Sequence, residues 1–371
     1  MYEDKAPDSV WAGRSGRRRW SRGPASARLL WRSGRENGSP GEPLGTWAVD
    51  GTLALARPDG VRAYGLTTGE PLWSRQPPGD GDQVIAHASW DTADGVIVAL
   101  HHDGDHGDDG RTNDAHGDDG HARVRHVRLT GLDLRTGTAV WTRDQRADEL
   151  GSVGADAPEV ALGGGRVAAT SARSGETTVR VLDARTGALQ WERPLPEGRR
   201  DAFVLTAGPV VVSTAVPEDP APPRARLRLH VVSEDAEQAI ELPPFYEAFG
   251  THPVIVGDTL AVELVPPQPY DTEHTGSTLR AVSAATGEFR WAWSSTYGRT
   301  IFPLAHRGAL LVLNGYGDRA TVLDPADGRV VAERSLPGHS HQARLVASGD
   351  CLAVVCTAPR TAARVRVFRW K

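Results

Sequence analysis

The chain of 371 residues has little lysine, cysteine or aromatic side chain and no long apolar run. Lysine occurs only at Lys5 and Lys371, which excludes a lysine nucleophile or a P-loop lysine in the body of the chain. No segment approaches the roughly 20 apolar residues of a membrane-spanning helix, and residues 1–26 lack the apolar block of a secretory signal. We expect no membrane span and, as written, a cytoplasmic protein; a missing upstream segment would instead indicate the envelope or the extracellular space.

Only two cysteines are present, in the apolar run Cys351-Leu-Ala-Val-Val-Cys356. A strand over this run would separate the two thiols by about 16 Å on opposite faces, which is beyond disulfide reach. The sequence therefore predicts two small buried thiols, and it excludes a disulfide scaffold and a four-cysteine zinc site.

The net charge of −5 comes from one segment, because residues 101–121 carry seven Asp and one Arg. The near-neutral remainder offers no broad basic face, so we expect no nucleic-acid partner. The segment also holds five His and repeats His-Gly-Asp-Asp-Gly at 106 and 116, and its composition predicts a solvated loop insertion. Clustered imidazoles and carboxylates can also bind a divalent metal, for which the weak candidates are His106, Asp108, His116 and Asp118.

One segment of the chain recurs along its length. The run 179–191, Val-Arg-Val-Leu-Asp-Ala-Arg-Thr-Gly-Ala-Leu-Gln-Trp, has close relatives at 61–73, 129–141 and 279–291. Apolar residues alternate at period two on both sides of a Thr-Gly pair, which predicts a strand, a turn and a second strand. Glycine suits the turn because it adopts positive φ without steric penalty.

The recurring turn glycine defines a repeat of 41–50 residues, once the acidic insertion is subtracted from the first gap. One copy is degenerate, with Glu237 in the place of the glycine. Each period holds four short strands, the size of one propeller blade. The turn glycines are Gly69, Gly137, Gly187, Gly287 and Gly328, and the tryptophans that share one repeat position are Trp31, Trp73, Trp141, Trp191 and Trp291, with Glu241 and Ala332 in the exceptions. We expect these tryptophans to fill the space between neighbouring sheets.

The two ends of the chain together supply the strands of one more blade. Residues 365–371 match the strand 179–185 but lack the strand that should follow, and residues 27–31 match 187–191 but lack the strand ahead. Pairing the ends would close a ring without an open sheet edge. The sequence thus predicts an all-β, seven-bladed propeller of four-stranded antiparallel blades over residues 27–371, closed by an N-terminal strand that completes the C-terminal blade, after a disordered basic arm at 1–26.

The segment 183–191 and its copies resemble the pyrroloquinoline-quinone-like repeat, whose tryptophan-docking motif occurs in quinoprotein dehydrogenases and in non-enzymatic relatives such as outer-membrane assembly lipoproteins. The resemblance covers nearly the whole chain after about residue 27. It implies that Trp191 stacks on the turn glycine of an adjacent blade and that Gly187 has the same architectural role. For the dehydrogenases it implies a quinone cofactor with calcium, a vicinal disulfide beside the cofactor and an aspartate base.

No hydrolase elbow, zinc-protease motif, Walker loop, dinucleotide fingerprint or EF-hand loop is present in the sequence. Further loops at 216–224 and 266–277 should share a face with the acidic insertion. The sequence therefore predicts a non-catalytic, monomeric propeller without a cofactor, which binds a protein or a small ligand through this loop-rich face. Two alternatives stay open: a quinone-dependent dehydrogenase that uses pyrroloquinoline quinone with calcium, and a sensory or assembly domain of an envelope protein.

Overall fold

A computed structural model of the chain consists of β-strands and short turns in the residues that it describes. Those residues are 27–33, 45–77, 83–84, 87–88, 95–102, 126–146, 159–173, 176–195, 202–216, 226–241, 253–264, 278–295, 301–314, 316–338, 343–356 and 364–370. In this part of the chain no helix is long and apolar enough to cross a membrane.

The described residues form 29 strands. In chain order they are β1 Arg28–Arg32, β2 Gly45–Val49, β3 Thr52–Arg57, β4 Gly60–Gly65, β5 Pro71–Arg75, β6 Gln83–Val84, β7 His87–Ala88, β8 Val96–His102, β9 His126–Asp133, β10 Ala139–Arg146, β11 Glu159–Gly163, β12 Arg166–Arg173, β13 Glu176–Asp183, β14 Leu189–Pro194, β15 Ala202–Ala207, β16 Val210–Val216, β17 Arg226–Val232, β18 Glu237–Glu241, β19 Val254–Val256, β20 Thr259–Leu264, β21 Thr278–Ser283, β22 Phe289–Ser294, β23 Ile301–His306, β24 Ala309–Asn314, β25 Arg319–Leu323, β26 Val330–Ser335, β27 Ala343–Ser348, β28 Cys351–Cys356 and β29 Arg364–Arg369.

These strands assemble into successive sheets in which neighbours in sequence pair antiparallel, as in the blades of a propeller. In chain order the sheets are β2-β3-β4-β5, β6-β8-β9-β10, β7-β11-β12-β13-β14, β15-β16-β17-β18, β19-β20-β21-β22, β23-β24-β25-β26 and β27-β28-β29-β1. We number them first to last in this order. In each sheet the last strand named is the outermost.

The prediction of seven four-stranded antiparallel blades is wrong: the structure has six such blades, and the third sheet has five strands. Its extra strand, β7, pairs parallel to β11, with His87 opposite Glu159 and Ala88 opposite Val160. A two-residue strand in a connection between sheets carries no alternating apolar pattern, so the repeat could not reveal it.

The two ends of the chain pair with each other. β1 lies antiparallel to β29, with Leu29 opposite Phe368 and Trp31 opposite Val367. Ser33 adds a hydrogen bond at the end of the ladder, since its backbone N–H donates to the Val365 carbonyl at 2.9 Å. The last sheet is therefore completed by the N-terminal strand, as the repeat predicts.

The core lies in apolar layers on the two faces of each sheet, and both cysteines belong to it. Cys351 packs with Ala353 and Val355, whereas Cys356 packs with residues on the other face of β28. Both thiols are free and buried, which confirms the prediction from their spacing. Burial raises the pKa of Cys351, because it disfavours the charged thiolate.

Candidate functional site

The turn before the outermost strand repeats one geometry in five sheets, the first, second, third, fifth and sixth. In the third sheet the Gly187 N–H and the Asp183 N–H donate to the carbonyls of Asp183 and Ala188, each at 2.8 Å. The Asp183 carboxylate accepts from the Thr186 hydroxyl at 2.8 Å, and this bond lowers the pKa of Asp183. Gly187 has φ of +67°, a conformation that glycine adopts at no cost.

Four tryptophan rings lie directly on turn glycines of the following sheet. A Cβ added to the glycine would approach the ring to 2.6–2.8 Å, which leaves no room for a side chain. The same indoles donate Nε1–H, at 2.8–3.1 Å, to the carbonyl three residues before that glycine. The pairs are Trp31 with Gly69, Trp73 with Gly137, Trp141 with Gly187 and Trp291 with Gly328. Each pair therefore joins two successive sheets by packing and by one hydrogen bond.

The contacts on both sides of the fourth sheet depart from this geometry. Trp191 is partly buried against the third-sheet and fourth-sheet core, but no described residue accepts a hydrogen bond from its indole. Arg193 links the two sheets instead, since its guanidinium donates to the carbonyls of Ser233 and Glu234, each at 3.3 Å. Gly287 of the fifth sheet faces Ile240 rather than a tryptophan, and a Cβ added to this glycine would lie 3.1 Å from the Ile240 side chain.

The turn of the fourth sheet is two residues shorter than its counterparts. Its first N–H, on Ser233, donates at 2.8 Å to the carbonyl of Ala236, three residues later. In the third sheet the corresponding N–H, on Asp183, donates to the carbonyl of Ala188, five residues later. The alignment of Glu237 with the turn glycine is therefore wrong, because Glu237 lies in β18 opposite Val232. Trp191 lies opposite Val181, two residues before Asp183, and Gln238 holds that place in the fourth sheet, opposite Val231. The alignment of Glu241 with the tryptophans is therefore also wrong.

A buried hydroxyl, imidazole and carboxylate form a hydrogen-bonded chain across three strands of the fourth sheet. The Thr214 hydroxyl lies 2.9 Å from His230 Nε2, and Glu237 Oε1 lies 2.6 Å from His230 Nδ1. With Nδ1–H donating to the carboxylate, Nε2 accepts from the hydroxyl, which is the order of groups in an acyl-transfer triad. Thr214 is 0% exposed and His230 is 3% exposed, so no substrate can contact the hydroxyl in this conformation.

Sequence analysis missed this chain of groups. His230 and Thr214 belong to no catalytic motif, and the repeat alignment places Glu237 in the turn. One signal in the sequence could have pointed to His230. It stands three residues before the turn, at the repeat position that holds an arginine in three other sheets, namely Arg62, Arg180 and Arg280.

The outermost strands share a second feature. Six of them carry a register shift near their start, where two residues oppose one. The same strands expose a large apolar side chain at their first or second residue: Leu29, Leu72, Val140, Leu189, Phe289, Val330 and Val331. The exception is β18, which pairs with β17 through five consecutive residues without a shift.

The remaining predicted site residues are not placed by the structure. The strand β8 extends through His101 and His102, so the predicted insertion begins later than expected. The weak metal candidates His106, Asp108, His116 and Asp118, the arm 1–26 and most of the two further loops lie outside the described residues. Within the described residues, no group of three or more His, Cys, Asp or Glu is arranged to hold a metal ion.

The cysteines do not fit the quinone site that the dehydrogenase resemblance implies. That site has a vicinal disulfide, whereas Cys351 and Cys356 lie at opposite ends of β28 and on opposite faces. They cannot form one disulfide without unfolding the strand, because cysteines joined by a disulfide have Cα atoms less than about 7 Å apart.

Comparisons with known proteins identify a family. No curated protein sequence matches the chain. Among solved structures, BamB from Moraxella catarrhalis is similar with 14% identity and a TM-score of 0.43, over 88% of this chain and 84% of that one. The quinohemoprotein alcohol dehydrogenase ADHIIG from Pseudomonas putida HK5 is similar with 12% identity and a TM-score of 0.45, over 86% of this chain and 65% of that one, so the chain spans less than two thirds of its length.

A family model described as outer membrane protein assembly factor BamB matches residues 13–218, more than half of the chain. This match confirms the resemblance to the pyrroloquinoline-quinone-like repeat that the turn and tryptophan pattern indicates. The chain therefore belongs to the family of the outer membrane protein assembly factor BamB.

Proposed function

We propose that this chain is a non-catalytic scaffold that binds another protein. The observation that carries the proposal is the burial of Thr214 and His230 in the Thr214–His230–Glu237 chain of hydrogen bonds. Among the described residues, this is the one arrangement that we find with the order of groups of a catalytic triad. A nucleophile must meet its substrate, and a hydroxyl with 0% exposure does not. We interpret these groups as a polar clamp that joins β16, β17 and β18.

Two further observations support protein binding. The description of the matched family is that of an assembly factor, a role that requires protein partners. The rim of the propeller also exposes apolar side chains, of which Leu72, Phe289 and Val331 are 51%, 55% and 57% exposed. Contiguous exposed apolar surface is typical of protein interaction sites, and Phe289 and Val331 lie on successive sheets, the fifth and the sixth. Envelope assembly is therefore the form of scaffold function that we favour.

Photo-cross-linking in the producing cells tests the scaffold. A benzophenone amino acid replaces Leu72, Leu189, Phe289 or Val331 in turn, one rim position in each of four sheets. A scaffold gives a discrete adduct from some positions and not from others, and the partner, identified by mass spectrometry and purified, rebinds the purified chain in calorimetry. Absence of any adduct that rebinds would contradict the proposal.

Titration with pyrroloquinoline quinone and calcium tests the dehydrogenase alternative. We expect no saturable change in tryptophan fluorescence and no dye-linked alcohol oxidation. Stoichiometric binding with turnover would overturn the non-catalytic assignment.

A further inference from the structure

We propose that the outer edge of β18 (Glu237–Glu241) binds an extended, basic segment of a partner protein as an added strand of the fourth sheet. The inference rests on the proposed scaffold function and names the surface and the kind of partner. It is carried by the regular ladder of β18, by the direction of its free backbone groups and by the charge beside it.

The first observation is the absence of a bulge in this one outermost strand. A bulge bends and twists a strand, so it blunts an edge against pairing with another chain. Six outermost strands carry such a shift, whereas β18 pairs with β17 in an unbroken register from Val232–Glu237 to Arg228–Glu241. Among the described strands none pairs with the other edge of β18. A strand without a bulge and with a free edge is a template for strand addition.

The register determines which backbone groups are free. The Ser233 N–H donates to the Ala236 carbonyl, so these two residues form a hydrogen-bonded pair. Hydrogen-bonded and non-hydrogen-bonded pairs alternate along an antiparallel ladder. Gln238 and Ile240 therefore direct their N–H and C=O groups to β17, while those of Glu237, Ala239 and Glu241 point away from the sheet.

The edge is accessible and held in place. Ala239, at its centre, is exposed and carries only a methyl group, as does its counterpart Ala292 in β22. On one face the Glu237 carboxylate is bonded to His230, and on the other Ile240 packs against Gly287. A template that is already ordered loses little entropy when a strand binds to it.

The charge next to the edge selects the partner. Glu234 and Asp235 occupy the turn that leads into β18, and both are exposed. Arg193 binds the turn through the carbonyls of Ser233 and Glu234 and forms no ion pair with either carboxylate. Opposite charges across an interface favour association, so a segment with Lys or Arg in alternate positions is the expected occupant.

Fluorescence anisotropy with a labelled peptide, Thr-Lys-Val-Lys-Thr-Lys-Val, tests the site. The variant Ala239→Pro removes an outward N–H and leaves the β17–β18 ladder intact, because proline is tolerated on the free edge of a strand. The matched control is Ala292→Pro. Ala292 is an exposed alanine in the bulged strand β22, opposite Arg280, and its N–H also points outward, since the Ser283 N–H faces β22. We expect Ala239→Pro to weaken binding about tenfold and Ala292→Pro to leave it unchanged.

A second variant probes charge without changing the backbone. The double substitution Glu234→Gln and Asp235→Asn should weaken binding several-fold and reduce its salt dependence, and a peptide with Glu in place of Lys should bind less tightly than the Lys peptide. Thermal unfolding of each variant, followed by circular dichroism, verifies that the fold is kept.

The outcomes separate this inference from the scaffold proposal. Equal binding by Ala239→Pro and wild type, equal loss in Ala292→Pro, or no binding of the Lys peptide would overturn the edge site. If a cross-linked partner binds wild type and Ala239→Pro equally, the edge inference fails and the scaffold stands. If the Lys peptide binds as expected but no partner is captured, the scaffold fails and the edge retains only a peptide-binding property.

Discussion

Replacing Gly187 by alanine should destabilise the protein through the ring of Trp141. The new Cβ would lie 2.7 Å from Cδ2 of Trp141, an indole that is 9% exposed and whose Nε1–H donates to the Ala184 carbonyl at 2.8 Å. The left-handed backbone at this position costs an alanine about 1–2 kcal/mol. Overpacking adds about 1–3 kcal/mol, so the free energy of unfolding should fall by about 2–5 kcal/mol.

A double-mutant cycle separates these two costs. Trp141→Ala alone should cost about 3–5 kcal/mol, as other large core truncations do. In that background Gly187→Ala should cost only the backbone part, about 1–2 kcal/mol, because the ring is gone. The two substitutions should therefore be less than additive by about 1–3 kcal/mol, the size of the overpacking cost.

The matched control is Gly257→Ala. Gly257 also has positive φ, +60°, but nothing lies within 4 Å of its added Cβ. It should lose only about 1–2 kcal/mol. Urea unfolding followed by far-ultraviolet circular dichroism measures all four variants. Additive costs for Trp141 and Gly187, or an equal loss for Gly187→Ala and Gly257→Ala, would refute the reasoning.

Three further predictions concern other parts of the propeller. Gly208→Ala would place a Cβ 2.7 Å from the backbone of Gly163 in the neighbouring sheet, so it should lower the free energy of unfolding by about 1–3 kcal/mol, and an unchanged urea midpoint would contradict this contact. Thr214→Val removes the partner of His230 Nε2 and should cost about 1–3 kcal/mol in the same assay, whereas no cost would argue against the polar clamp. Burial lowers the pKa of His306. Its stabilising contribution is therefore present above about pH 6.5 and is lost as the pH falls through the lowered folded-state pKa. His306→Gln should flatten the pH dependence of the free energy of unfolding below about pH 7, and an unchanged slope would contradict this prediction.

The parts of the fold that repeat in the sequence could be predicted. The Thr-Gly turn with a tryptophan four residues later marks a local unit, so its copies indicate the outermost strands and the pairing of the two ends. The short parallel strand β7 could not be found in this way, because two residues carry no period.

The fourth sheet shows why equivalent positions cannot be assigned from a constant sequence spacing alone. Glu237 stands 50 residues after Gly187, which suggests that it occupies the same place. In the structure the turn of this sheet is two residues shorter and β18 has no bulge, and both differences alter the register of β18. The bond between His230 and Glu237 depends on that register, so side-chain chemistry at this site could not be derived before the strand pairing was known.

The pairing of β1 with β29 constrains the order of folding. Ser33 and Val365, which are hydrogen-bonded, are 332 residues apart. A ribosome that adds about 5–20 residues per second needs roughly 15–70 s to make the intervening chain. During that time β1 has no strand to pair with, so the last sheet can be completed only after the C-terminal strand has been made.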